Sequence, residues 1–208
     1  MVKRRDFALG AGAVVAASLG GTYWLTTRAP ADIFAACQTG AVGGDIGGPF
    51  TLVNENGELV TDTDVITRPS LLYFGYTYCP DVCPMDVARN AVASDVLSDM
   101  GHDVTPVFIS IDPERDTPDI VGAFAANMHD RMIGLTGSPE QVAEASRAYK
   151  TYYRAQKADG DEFYLVDHST FTYLVLPKIG FVDFFRREMS PEEMAERTAC
   201  LVTAAARV

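Results

Sequence analysis

The chain has 208 residues, of which 48% are apolar and 22% charged, the balance of an ordinary globular protein able to bury a full core. That length suits one domain plus an appendage. A formal net charge of -11 excludes nucleic acid as a partner, because phosphates repel such a surface, and favours proteins that offer a basic face or dock through a local patch.

The N-terminus carries an address. Lys3, Arg4 and Arg5 precede an uncharged run from Phe7 to Thr27, and the next charge is Arg28. The run is just long enough to cross a bilayer, with its positive flank in the cytoplasm and the rest of the chain outside. Arg4-Arg5-Asp6-Phe7-Ala8-Leu9 also resembles a twin-arginine export signal, and such a signal can remain as an anchor. Residues 1–28 are therefore expected to be a membrane anchor or twin-arginine-like signal. The expected location is the inner (cytoplasmic) membrane, single-pass, with the globular domain on the periplasmic side. Four cysteines permit disulfides in that oxidising space. Residues 29–49 hold Pro30, Gly40, Gly43, Gly44, Gly47, Gly48 and Pro49, the composition of a flexible tether.

The domain, 50–208, opens with apolar runs on either side of Asn54-Glu55-Asn56-Gly57, which reads as a β-hairpin. Ser70 to Tyr76 is a continuous apolar run, as in a strand buried on both faces. A Pro-punctuated loop with Cys79 and Cys83 leads into a helix over about Pro84–Met100, with Ala88, Ala91, Val92 and Val96 on one stripe and Gly101 as its stop. Val104 to Ile111 is a second buried strand. Helices start at Thr117-Pro118 and at the capping box Ser138-Pro139-Glu140-Gln141. A hairpin over 171–176 and 181–185 precedes a last helix opened by Ser190-Pro191-Glu192-Glu193. This order predicts a thioredoxin-like α/β domain with an N-terminal β-hairpin, a fold that sets a cysteine pair between a central strand and its following helix.

Cys79-Pro80-Asp81-Val82-Cys83 puts two sulfurs on one side of a loop or first helical turn, where the helix N-terminus lowers thiol pKa. Two such thiolates either close to a disulfide or hold a soft metal. Thiolates favour Cu(I), and with an imidazole they hold either copper oxidation state. The spacing is one residue longer than the Cys-x-x-Cys of thioredoxin-type oxidoreductases. Of the three histidines, His102 reads as an exposed turn residue and His129 as solvated near a helix end. His168 opens the strand near Phe171, on the segment that faces the cysteine loop in this fold. Met85 reads as helix core, and Tyr73, Phe74, Tyr76 and Tyr78 as core or surroundings of the site. Asp112, Arg115 and Asp116 stand at a strand end, where docking groups collect in α/β sheets, or serve the next helix start with Asp116 or Thr117 as N-cap. Asp167 can orient His168 only in a loop, because strand neighbours point to opposite faces.

Three segments carry a family resemblance: Tyr73 to Pro84 (YFGYTYCPDVCP), Ile109 to Pro118 (ISIDPERDTP) and Val166 to Thr170 (VDHST). In that order, within a similarity running from about Gly48 to Met194, they resemble the Sco/SenC family of copper chaperones. The resemblance implies that Cys79, Cys83 and His168 bind copper, as Cu(I) or Cu(II), and that Cys79 and Cys83 also form a redox-active disulfide. It implies delivery of copper to, or preparation of, the dinuclear copper site in cytochrome c oxidase subunit II, with another periplasmic copper chaperone or a thiol reductant as further partner. Ile66-Thr67-Arg68-Pro69 departs from the family's Gly-containing approach to the central strand. Cys37 and Cys200 lie outside the copper motif, and either form a disulfide from tether to last helix or stay unpaired. Two alternatives stay open: a membrane-anchored thiol–disulfide reductase, which would be an enzyme and needs only the two cysteines, and a redox or copper sensor. The presence of His168 favours the carrier.

Overall fold

The computed structural model describes residues 33–38, 45–157 and 163–207, which leaves the expected anchor outside the described residues. Among the described residues no helix is long and apolar enough to cross a membrane. Residues 1–35 and 36–208 form separate units, and the elements below belong to the second.

The expected hairpin is present. β1 (Thr51–Asn54) and β2 (Leu59–Thr61) pair antiparallel. Their turn is closed by the Asn54 side chain, which accepts from the N–H groups of Asn56 and Glu58, with Gly57 supplying a φ of 78°. A short helix, α1 (Asp62–Val65), leads to β3 (Ser70–Gly75), buried along its whole length. Leu71 and Leu72 are fully enclosed, each contributing about 1.5–3 kcal/mol of burial.

From there the chain alternates through α2 (Val82–Asp99), β4 (Thr105–Ser110), α3 (Pro118–Met128), β5 (Ile133–Thr136) and α4 (Pro139–Ala148). β6 (Tyr153–Ala155) and β7 (Val166–His168) form a separate two-stranded sheet. The hairpin β8 (Thr172–Leu176) and β9 (Gly180–Phe185) precedes α5 (Pro191–Ala205). The expected capping boxes at Ser138 and Ser190 open α4 and α5, and Thr117 is the N-cap of α3.

The main sheet runs β2-β1-β5-β4-β3-β8-β9, a mixed α/β architecture with a parallel centre. β3 pairs parallel with β4 from Ser70–Thr105 to Gly75–Ser110, and antiparallel with β8 on its other side. The C-terminal ends of β3 and β4 therefore coincide, which is where α/β sheets place their sites.

Several expectations are corrected. β5 went unforeseen because four residues with a central glycine carry no alternation to detect. The apolar stripe of α2 is a different one. Ala88 and Val92 are exposed, whereas Cys83, Val87, Ala91 and Leu97 are buried together with Asp86, Asn90 and Ser94. Hydrophobic patterning misreads such a face because its polar members are satisfied internally: Tyr73 donates to Asp86, Thr172 to Asn90, and Ser94 to the Val104 carbonyl. Met85, expected in the core, is exposed, and so is Tyr78. His129 is shielded rather than solvated, with Nδ1 accepting from the Arg131 N–H and Nε2 on Asp95 at 3.0 Å.

Parts of the expected tether are held down. Cys37 is bonded to Cys200 on α5, across 163 residues, Gln38 donates to the Val182 carbonyl, and Gly47 donates to the carbonyl of Ala148.

Candidate metal centre

The loop after β3 delivers the first sulfur to the start of α2. Asp81 is the N-cap of that helix, but its side chain makes no capping bond. Cys79 Sγ takes the role, accepting the Cys83 N–H at 3.3 Å. Pro84, in the same first turn, has no N–H to satisfy. A hydrogen bond from the Cys83 thiol, with further bonds from the backbone N–H groups of Asp81, Cys83 and Val82, brings the Cys79 thiol down to about 4, against the opposing effect of burial. Cys83 is pushed the other way, because its thiol is the one that donates to Cys79 and because it is buried. The pair is thus one thiolate and one thiol, and neither is disulfide-bonded.

The histidine arrives from 85 residues further on. Tyr76, just past β3, accepts the Val166 N–H at 3.2 Å and so ties β7 to the cysteine loop. A second tie runs from the Tyr164 hydroxyl to Asp112 at 2.7 Å. His168 ends β7 between the rings of Tyr73 and Tyr76, edge-on to both at 6.2 and 5.9 Å. Its Nδ1 donates to the Ser169 carbonyl at 2.8 Å, which leaves the lone pair on Nε2. Nε2 stands 3.3 Å from Cys83 Sγ. One ligand atom from each of Cys79, Cys83 and His168 lies within 4.8 Å of the other two, so a single ion can reach all three.

The other residues singled out in the sequence brace this centre. Asp116 is buried and accepts from the Thr77 N–H, the Thr77 hydroxyl and the Ser110 hydroxyl, at 3.0, 2.5 and 2.6 Å. Burial raises its pKa and these bonds oppose the rise. It therefore pins the loop two residues before Cys79. Asp112 holds Tyr164 and also Arg115 Nε at 2.6 Å. The Arg115 guanidinium lies 3.6 Å over the Tyr164 ring and 4.8 Å over Tyr78. Asp167 faces away from its neighbour His168 and takes the Gln156 side-chain amide.

Reading the sequence missed Gly75. A Cβ there would lie 2.8 Å from Tyr73 Cε1 and 2.9 Å from Cys83 Sγ, so glycine leaves the room that the second sulfur occupies. It also missed Tyr164, which nothing in its neighbourhood marks, and Asp86, buried on α2 where it accepts the Tyr73 hydroxyl.

Residues 38–203 match the SCO1/SenC family. The chain belongs to that family. Protein SenC of Rhodobacter capsulatus is 56% identical over 175 residues, covering 83% of this chain and 79% of its own. The crystal structure of Arabidopsis thaliana ScoI with copper bound is 39% identical with a TM-score of 0.71, covering 78% of this chain and 99% of that one. BsSco, described as a member of the Sco family of cytochrome c oxidase assembly proteins in which a disulfide switch was identified, is 25% identical with a TM-score of 0.61, covering 81% and 99%. The similarity to these Sco proteins extends across the mixed α/β domain that carries the centre.

Proposed function

We propose that this SCO1/SenC protein is a copper metallochaperone that holds the ion on Cys79, Cys83 and His168 and delivers it to, or prepares, the dinuclear copper site of cytochrome c oxidase subunit II. The observation that carries the reading is the convergence of two sulfurs and one imidazole nitrogen within 4.8 Å. Two thiolates and a neutral imidazole are a soft donor set with a nitrogen added, suited to Cu(I) and able to accommodate Cu(II). Copper in the Arabidopsis ScoI structure supports the same cargo here.

Residues 1–28 anchor the chain in the inner membrane or direct its export, and residues from about 50 form the copper-binding domain on the periplasmic side. The charge run Lys3-Arg4-Arg5 and the uncharged stretch behind it support this placement. Handover is by ligand exchange, in which a partner's donor atom replaces one of the three as the ion moves. In cells carrying His168→Ala at limiting copper, oxidase activity is expected to fall as it does in a deletion strain. Wild-type activity would remove the carrier role.

A second reading has its own support. Cys79 is held as a thiolate beside a protonated Cys83, the arrangement of an attacking and a resolving thiol. A thiol–disulfide reductase acting on the cysteines of the oxidase site would keep its function in His168→Ala and lose it in Cys79→Ser, so the same strains separate the two.

A further inference from the structure

Beside the centre, two ion pairs use up their own charges. Arg115 is bonded to Asp112 at 2.6 Å, and Lys157 Nζ reaches Glu114. Both cations also stand over the ring of Tyr164, Arg115 at 3.6 Å and Lys157 at 5.2 Å. The same guanidinium lies 4.8 Å from the centre of the Tyr78 ring, so Tyr78 and Tyr164 are gathered around one cation. These four charges sum to zero, on a chain whose net charge is -11. The spot is apolar as well. Tyr164 is buried, but its neighbours Phe163 and Leu165 are 85% and 56% exposed, and Tyr78 is 49% exposed. Large apolar side chains gathered in the open mark a surface that another protein covers.

This face adjoins the centre through two segments. Tyr78 precedes Cys79, and Leu165 stands three residues before His168, on the segment that Tyr76 ties to the cysteine loop. A protein that brings a donor atom to the ion therefore meets Tyr78 and the residues around Tyr164. We propose that Tyr78, Phe163 and Leu165 are the docking surface for the protein that exchanges copper with this chain, and that this partner offers an uncharged, apolar patch beside its own copper ligands. Association is then driven by apolar area removed from water and not by the net charge of the chain. Asp81, exposed and the only acidic or basic side chain between Thr77 and Cys83, adds a single charged contact at the rim. The inference rests on the carrier reading above and deepens it by saying how the partner is recognised.

The test follows copper from the loaded full chain to purified cytochrome c oxidase whose subunit II site has been emptied of copper. Transfer by the wild-type chain should change by no more than about 2-fold between about 0.05 and 0.5 M sodium chloride, a range over which charge-steered association falls steeply. Phe163→Gln with Leu165→Gln should slow transfer by about 10-fold or more, because such aromatic and aliphatic anchors carry most of an interface's affinity. The double variant should still retain copper against a chelator as the wild type does. A steep fall of the wild-type rate with salt, or wild-type transfer by the double variant, overturns the proposal. So does self-association of the wild-type chain, seen by sedimentation of the same samples, that the double variant abolishes, since the face then belongs to a second copy. The salt profile needs no substitution and decides the matter even if the double variant does not fold. If the wild-type chain passes no copper to the oxidase at any salt concentration, the carrier reading falls, and this inference with it.

Discussion

Nε2 of His168 stands 3.3 Å from Sγ of Cys83, although 85 residues of chain separate them. Little of that proximity comes from His168 itself. β7 is short and lies outside the main sheet, and it reaches the cysteines through Tyr76 and Tyr164.

Tyr76→Phe should therefore loosen the imidazole. It leaves the Val166 N–H without this partner, and an unpaired buried group costs about 1–3 kcal/mol. If much of that cost appears as lost positioning of His168, copper affinity should fall by about 10-fold or more, each 1.4 kcal/mol being a factor of ten. Competition against a chelator measures it.

The two thiols should titrate far apart. Cys79, lowered to about 4, is charged at every pH above that value, so its alkylation rate should be nearly flat from pH 5 to pH 8. An ordinary thiol gains about 1,000-fold over the same interval. Because its pKa is depressed on folding, the Cys79 thiolate stabilises the fold fully above the ordinary value of 9.0, and the contribution is lost as pH falls towards 4. Mass spectrometry of metal-free protein alkylated at pH 5 should find the label on Cys79 and not on Cys83.

Gly75→Ala tests the space around the second sulfur. The new Cβ meets Tyr73 Cε1 at 2.8 Å and Cys83 Sγ at 2.9 Å, in a strand buried on both sides. Overpacking of this kind costs about 1–3 kcal/mol. The thermal midpoint should drop and copper affinity should weaken with it, because the displaced atom is a ligand.

Much of this fold is legible in the chain because its signals are local. Asn54 to Gly57 closes its own turn, and Ser138 and Ser190 cap their own helices. The cysteine pair is legible too, because the strand before it is a continuous apolar run and the helix after it carries a proline in its first turn. What escaped is what depends on distant partners. α2 buries Asp86, Asn90 and Ser94 because Tyr73, Thr172 and Val104 satisfy them, and all three partners lie outside the helix, where its own periodicity does not reveal them. Gly75 matters through a sulfur eight residues away, and Tyr164 through Asp112, 52 residues earlier.

The bond between Cys37 and Cys200 should act on stability and leave the centre alone. Cross-linking across 163 residues contributes up to about 5 kcal/mol in the chain-entropy model. Cys200→Ser should lower the denaturation midpoint markedly, while copper stoichiometry stays at the wild-type value. Loss of copper binding in the folded variant would show that α5 and the centre are coupled.

The central claim is that Cys79, Cys83 and His168 together hold copper. It is tested most directly by measuring copper retained per chain after reduced protein is loaded with Cu(I) or Cu(II) and exchanged against a competing chelator. Wild type should retain one ion in either state, and Cys79→Ser with Cys83→Ser should retain none. His168→Ala should lose Cu(II) while its two thiolates keep Cu(I) less tightly, since Cu(II) has more need of the nitrogen donor. Retention of copper by the double cysteine variant, or of Cu(II) at the wild-type level by His168→Ala, would contradict the account.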